Sequence, residues 1–189
     1  MPPFRVIIVG GSVAGLTLSN MLEAYGIDFA VLEKHEDIAP RLGAGYAMMP
    51  YGARILDQLG CYHALEKLSS PVNSVSGFDE RGKRCLHLSQ LGAWMESSFG
   101  YKMRFLERRQ ITQVLYDNLR DKSKIHTSCE ALEICSTDTG VEVETNGQVF
   151  RGDVVVGADG VHSPVRQEME RLALADGNGE LFRNEDGGY

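Results

Sequence analysis

Near the amino terminus, glycines and one acid stand at spacings that can hold a diphosphate and a sugar. Gly10-Gly11-Ser12-Val13-Ala14-Gly15 follows the apolar run Val6-Ile7-Ile8-Val9, and Glu33 comes 18 residues after Gly15. Gly10 lets the chain turn tightly, and Gly15 lets a following helix pack against the strand. The first amides of that helix and its positive end then face an anion. Ser12 stands where the pattern places a second glycine, at the closest backbone approach to phosphate. Serine is small, and its hydroxyl can itself donate to phosphate. Glu33 ends the second apolar run, Phe29-Ala30-Val31-Leu32, where a carboxylate can accept from both hydroxyls of an adenosine ribose. The same carboxylate repels a ribose 2′-phosphate, which argues against NADP at this point. The constellation predicts binding of the ADP half of a dinucleotide. It does not separate FAD from NAD(P), because both carry that half.

Two later stretches bear on the choice. Arg108-Arg109-Gln110-Ile111-Thr112-Gln113-Val114-Leu115 opens a helix with basic residues, and only Arg108 has apolar residues both three and seven positions on. Val154-Val155-Val156-Gly157-Ala158-Asp159-Gly160 reads as a buried strand ending in an acid and a glycine, and Ser163 then caps a helix that carries Arg166. Asp159 has a second reading as part of a strand-to-helix turn, and Arg166 as its surface ion-pair partner.

The elements that position these groups follow from periodicity. Residues 4–9 and 29–32 are strand-like and flank a helix with Leu16, Leu18, Met21, Leu22 and Tyr25 near helical spacing, stopped by Gly26. Residues 35–50 read as irregular, 51–59 as a helix, and 61–68 as a further helical turn or two. Residues 72–78 and 84–88 read as a hairpin through Asp79-Glu80-Arg81-Gly82, and 103–106 as a strand. Residues 89–101, with Trp94, give no clear period. The three runs 130–135, 141–145 and 149–150, parted by Asp138-Thr139-Gly140 and Asn146-Gly147, form a meander. The predicted fold is α/β and Rossmann-like with a β-meander. Residues 1–171 form one binding domain, and the glycine-rich, acidic residues 172–189 form a loose tail. A meander in place of further β-α units argues against a plain NAD-linked reductase.

Composition bounds the partners. The chain has 189 residues, 43% hydrophobic and 24% charged, with a formal net charge of −7. Such acidity disfavours nucleic acid. No apolar run approaches the roughly 20 residues of a membrane span, and the first residues lack the zones of a secretory signal, so a cytoplasmic location is expected. Cys61, Cys85, Cys129 and Cys135 have no metal-ligand spacing and read as small buried residues. The five histidines are scattered, and no residue is assigned as catalytic.

Taken together, the Val156-Gly157-Ala158-Asp159-Gly160-Val161-His162-Ser163-Pro164-Val165-Arg166 stretch, Leu32-Glu33-Lys34, and residues 10–18 and 52–60 resemble the group A flavin-dependent monooxygenases. The similarity is strongest to fungal epoxidases and hydroxylases of indole-diterpene and meroterpenoid pathways, where serine commonly replaces the middle glycine. The resemblance runs to about Arg171. It implies FAD as cofactor, NAD(P)H as reductant and a small terpenoid or polyketide substrate. It also implies that Glu33 binds the ribose and that Arg108 reaches the ribityl or pyrophosphate portion. A backbone contact is implied at Ala47, in the loop after Glu33. Asp159 and Gly160 would shape the pyrophosphate region and bear on NAD(P)H binding. Members of this family are more than twice as long and carry a substrate-binding sheet, which leads us to expect a truncated form, a fragment or one half of a split enzyme. Fungal members often end in a membrane segment. A non-catalytic dinucleotide-binding remnant is the alternative.

Overall fold

The computed structural model describes residues 3–41 and 45–182. The chain divides into two compact units, Met1–Ile38 with Asp121–Tyr189, and Ala39–Arg120. The chain leaves the first unit after Ile38 and rejoins it at Asp121.

The first unit opens with strand β1 (Arg5–Val9), helix α1 (Val13–Ala24) and strand β2 (Asp28–Leu32). The strands are continuous apolar runs because both faces of a parallel sheet are covered. Ile7, Ile8, Phe29, Ala30 and Val31 are completely buried.

The second unit begins with β3 (Gly45–Met48), α2 (Pro50–Gln58), α3 (Tyr62–Leu68) and β4 (Ser70–Pro71). The ribbon β5 (Val75–Phe78) and β6 (Arg84–Leu88) follows, then α4 (Leu91–Phe99), β7 (Arg104–Glu107) and α5 (Arg108–Asn118). Strand β7 pairs antiparallel with both β3 and β4, in the order β3-β7-β4. Pro50 suits the first turn of α2, where its missing N–H is no loss. Helix α5 starts at a capping box: the Glu107 side chain accepts from the Gln110 amide, and Glu107 N–H donates to Gln110 Oε1 at 2.8 Å. Arg104 is buried at 7% exposure, and its guanidinium donates to Ser69 Oγ at 2.6 Å, the Glu66 carbonyl at 2.8 Å and the Ser69 carbonyl at 3.1 Å. It thereby satisfies carbonyls left over at the end of α3.

On returning, the chain forms β8 (Ile125–His126), the meander β9 (Ala131–Thr137), β10 (Gly140–Thr145) and β11 (Val149–Gly152), strand β12 (Val154–Gly157) and helix α6 (Pro164–Ala175). The central sheet runs β12-β1-β2-β8, all parallel. Ile7, Val9, Ala30 and Leu32 on one face pack with Ile134, Val141, Val143 and Phe150 of the meander and with Val165 of α6. Ile8 points the other way, towards α1. At the amino ends of the strands, Lys124 Nζ lies 2.9 Å from Asp28, and Arg5 Nε 3.6 Å. That end is an ion-pair cluster, whereas the carboxyl ends carry the glycines and Glu33. Helix α6 continues past Arg171 to Ala175, and a short 3-10 turn covers Gly179–Phe182. Residues 183–189, placed in the tail, lie outside the described residues.

Candidate functional site

At the carboxyl ends of β1, β2 and β12, glycine is required by contact. Gly10 has φ +105°, and its N–H donates to the Leu32 carbonyl at 2.8 Å. A Cβ there would stand 2.3 Å from the Ala158 carbonyl oxygen, so the turn after β1 lies against the turn after β12. Ala158 N–H also donates to the Val9 carbonyl at 2.7 Å. A Cβ on Gly15 would come within 1.9 Å of the Gly10 carbonyl oxygen. The first turn of α1 is thus pressed onto the glycine turn that precedes it.

Ser12 is the N-cap of α1 with φ −92°, an extended conformation that any residue adopts. The backbone conformation there does not itself demand glycine. The first turn of α1 carries no acid. Its leading amides lack intrahelical acceptors, and the helix end is positive, so the opening suits a diphosphate.

Glu33 is buried at 8% exposure. Its backbone is fixed on both sides: Glu33 N–H donates to the His126 carbonyl and Cys129 N–H to the Glu33 carbonyl, each at 2.8 Å. Its Oε2 accepts from Gly11 N–H at 2.7 Å, and its Oε1 accepts from His35 N–H at 2.9 Å and contacts His35 Nδ1. Burial pushes the carboxyl group's pKa up, but the hydrogen bonds from His35 and Gly11 outweigh it and hold the group below its ordinary value. Glu33 is therefore ionised at neutral pH, an acceptor at both oxygens. Gly11 is the residue that the spacing argument passed over. A Cβ there would lie 2.7 Å from Ile38 Cδ1 and 2.9 Å from Glu33 Cβ. The signal was the glycine doublet itself, whose second member has no place in the spaced pattern.

Asp159 and Gly160 follow Ala158 directly and so border the Gly10 turn. Asp159 Oδ2 lies 3.4 Å from Val165 N–H, a long contact, while the cap of α6 is Ser163, whose Oγ accepts from Arg166 N–H at 3.0 Å. Arg166 donates to the Val161 carbonyl at 2.6 Å and lies 3.8 Å from Glu170. These contacts, and not Asp159, are the partners found for it.

The other two sequence-predicted residues belong to the second unit. Arg108 is the first residue of α5, with Ile111 and Leu115 buried below it as the spacing predicted. Arg109 pairs with Glu107. Ala47 is not in a loop: it is the third residue of β3 and is paired in register with Phe105. Strand β3 escaped the sequence reading because only Met48 of its four residues is buried, so no alternation appears. Trp94, in the stretch without a clear period, is on α4, 56% exposed, and meets Phe99 edge to face. Of the cysteines, Cys61 and Cys129 are buried but Cys85 and Cys135 are exposed. Burial pushes the Cys61 thiol up to about 11, which keeps it protonated. Among the described residues no cluster of three or more potential metal ligands occurs, and no helix is long and apolar enough to cross a membrane.

A parallel sheet whose first crossover offers a glycine-lined helix mouth and a buried, ionised carboxylate is a dinucleotide-binding fold. The chain belongs to the FAD binding domain family, which it matches over residues 4–178. The ADP half of that cofactor fits the residues present: a close-approach turn, a helix mouth without acids, and Glu33 charged at the tip of β2. The chain is 42% identical to the FAD-dependent monooxygenase ntnA of a Nectria species, over 98% of this chain and 25% of that protein. It is 44% identical to the FAD-dependent monooxygenase pyr5 of Aspergillus fumigatus, over 96% of this chain and 38% of that protein. Among solved structures, the tetrameric form of 2-methyl-3-hydroxypyridine-5-carboxylic acid oxygenase superposes with a TM-score of 0.73 at 26% identity, over 89% of this chain and 43% of that one. Klebsiella pneumoniae HpxO complexed with FAD and uric acid shares the fold, with a TM-score of 0.75 at 22% identity over 87% of this chain and 41% of that one. The chain spans from 25% to 40% of the length of these and similar curated relatives.

Proposed function

We propose that this chain is the FAD-binding portion of a flavin-dependent monooxygenase that hydroxylates or epoxidises a small terpenoid or polyketide in fungal secondary metabolism, with NAD(P)H as reductant. The observation that carries the reading is the Gly11–Glu33 contact at the mouth of α1, where an ionised carboxylate is held beside an anion-binding helix end. The names of the relatives, FAD-dependent monooxygenases from Nectria and Aspergillus among them, supply the reaction class.

Bound flavin supplies the redox and oxygen chemistry, and the protein contributes binding, orientation and electrostatics. In this reading the amides at the mouth of α1, Ser12 and Val13, bind the pyrophosphate, the Gly11 amide is given to Glu33, and Gly10 and Gly15 allow the close approach. Glu33 takes the adenosine ribose. Asp159 and Gly160 border the diphosphate region. Arg108 and the backbone of Ala47 contact the cofactor elsewhere, as the family resemblance suggests. Oxygenation also demands exclusion of water around the reacting ring, a property of the whole enzyme. Where the chain acts as a separate polypeptide, its partner would be a complementing half of such an enzyme.

The test is to purify the chain, add FAD or NAD, desalt, and record absorbance and fluorescence. Retention of yellow colour and quenched flavin emission supports the reading. Retention of NAD without flavin favours a reductase module, and loss of both overturns it.

A further inference from the structure

Resting on the reading of Glu33 as the ribose acceptor, we propose that His35 is a positioning residue for that carboxylate, fixing one of its oxygens so that the other is presented to the sugar. An ionised carboxylate offers about four lone-pair sites over its two oxygens. On Oε1, His35 provides two contacts, from its backbone N–H at 2.9 Å and from Nδ1. Oε2 accepts from Gly11 N–H at 2.7 Å. Oε1 is thereby filled, and the remaining acceptor direction belongs to Oε2, beside the glycine turn at the helix mouth.

The scaffold behind His35 is itself fixed. Its carbonyl accepts from Ser128 N–H at 3.0 Å, and the Ser128 carbonyl accepts from Asn146 Nδ2 at 3.0 Å. Ser128 has φ +51°, so this turn holds a conformation that side-chain-bearing residues seldom adopt. The imidazole is half exposed, whereas the Glu33 side chain retains only 11% of its surface. His35 thus lies on the solvent side of the carboxylate. A free glutamate side chain loses rotational freedom about several bonds on binding, and a carboxylate already held in its bound orientation loses less.

The experiment uses the full chain and three probes, ADP, 2′-deoxy-ADP and 3′-deoxy-ADP, with affinities measured by calorimetry for wild type, His35→Ala, His35→Asn and Glu33→Ala. Wild type should bind ADP more tightly than at least one deoxy probe. His35→Ala should weaken ADP binding three- to tenfold and shrink that preference. His35→Asn, whose side-chain amide can donate from nearly the same place as Nδ1, should restore most of both. Loss of the hydroxyl preference in Glu33→Ala supports the ribose assignment, and its survival there overturns that underlying reading. If Glu33→Ala loses the preference but His35→Ala binds like wild type, the His35 proposal alone fails. Tighter ADP binding by His35→Ala also overturns it, because the imidazole would then be competing with the sugar.

Discussion

The crossover β1–α1–β2 and the ribbon β5–β6 are both short and rich in strand-forming residues, yet they are held in opposite ways. In the crossover Ile7, Ile8, Phe29 and Val31 are completely buried and Gly10 and Gly15 are locked by backbone contact. In the ribbon Phe78 is 63% exposed, and Leu86 and Leu88 are 47% and 44% exposed. Both faces of the first are covered, so its geometry is over-determined. A two-stranded ribbon is marginal by itself. Binding groups that must be held to fractions of an ångström belong on the first kind of element, and the glycine turn and Glu33 of the candidate site are on it.

The comparison breaks most sharply at Gly15. Gly15→Val places a branched side chain where even a Cβ would meet the Gly10 carbonyl oxygen, so α1 must move off the turn. The expected cost is about 3 kcal/mol or more, with loss of FAD retention. Gly82→Ala, in the turn of the ribbon, meets nothing within 4 Å and pays only for its φ of +75°, about 1 kcal/mol. Urea denaturation of the two variants measures the gap.

Arg104 sets the scale inside the second unit. It is buried and serves the Glu66 and Ser69 carbonyls and Ser69 Oγ. Arg104→Ala leaves these acceptors unmet, which should cost about 2 kcal/mol in thermal or urea unfolding. A cost near zero would mean that water replaces the guanidinium easily and that this unit is as loosely held as its ribbon.

Glu33 gives a pH test of the first region. Its carboxyl pKa is lowered on folding, so the stabilisation it contributes is complete above the unfolded value, about 4.5, and is lost as pH falls through the lower folded value. FAD retention and unfolding free energy should therefore decline together below about pH 4.5, and Glu33→Gln should flatten that part of both profiles. An unchanged acid limb in Glu33→Gln would remove Glu33 from the acid transition.

Legibility in the sequence follows the same division. The crossover and the meander were readable because burial on known faces leaves apolar runs or alternation in the chain, as in Val141 and Val143 of β10. Strand β12 was placed by its apolar run, but it is less covered than a buried strand: Val154 is 39% exposed, and Val155 and Val156 are only partly buried. Strand β3 and helix α4 were not readable. Tyr46 and Ala47 are exposed, and α4 buries only Gly92 and Met95, so neither element carries a period. Cys85 and Cys135 deceived for the same reason: residue type alone predicted burial, and their strands do not bury those positions. At the site, Glu33 could be placed by spacing, but its lock could not. Gly11 reaches it from 22 residues away, and His35 reaches it through the local turn, neither of which leaves a repeat.

The smallest expected effect probes the ribbon itself. Leu86→Ser and Leu88→Ser change side chains that are nearly half exposed on one face of β6. Burial already lost to water stabilises nothing, so each substitution should move the unfolding free energy by no more than about 0.5 kcal/mol. The same changes remove apolar surface from an open strand edge and should reduce self-association in light scattering. FAD retention should not change, because none of the proposed cofactor-contacting residues lies on the ribbon. A loss of about 2 kcal/mol from either serine would mean that the ribbon is covered in solution, and the contrast between the two regions would then describe an assembly and not a single chain.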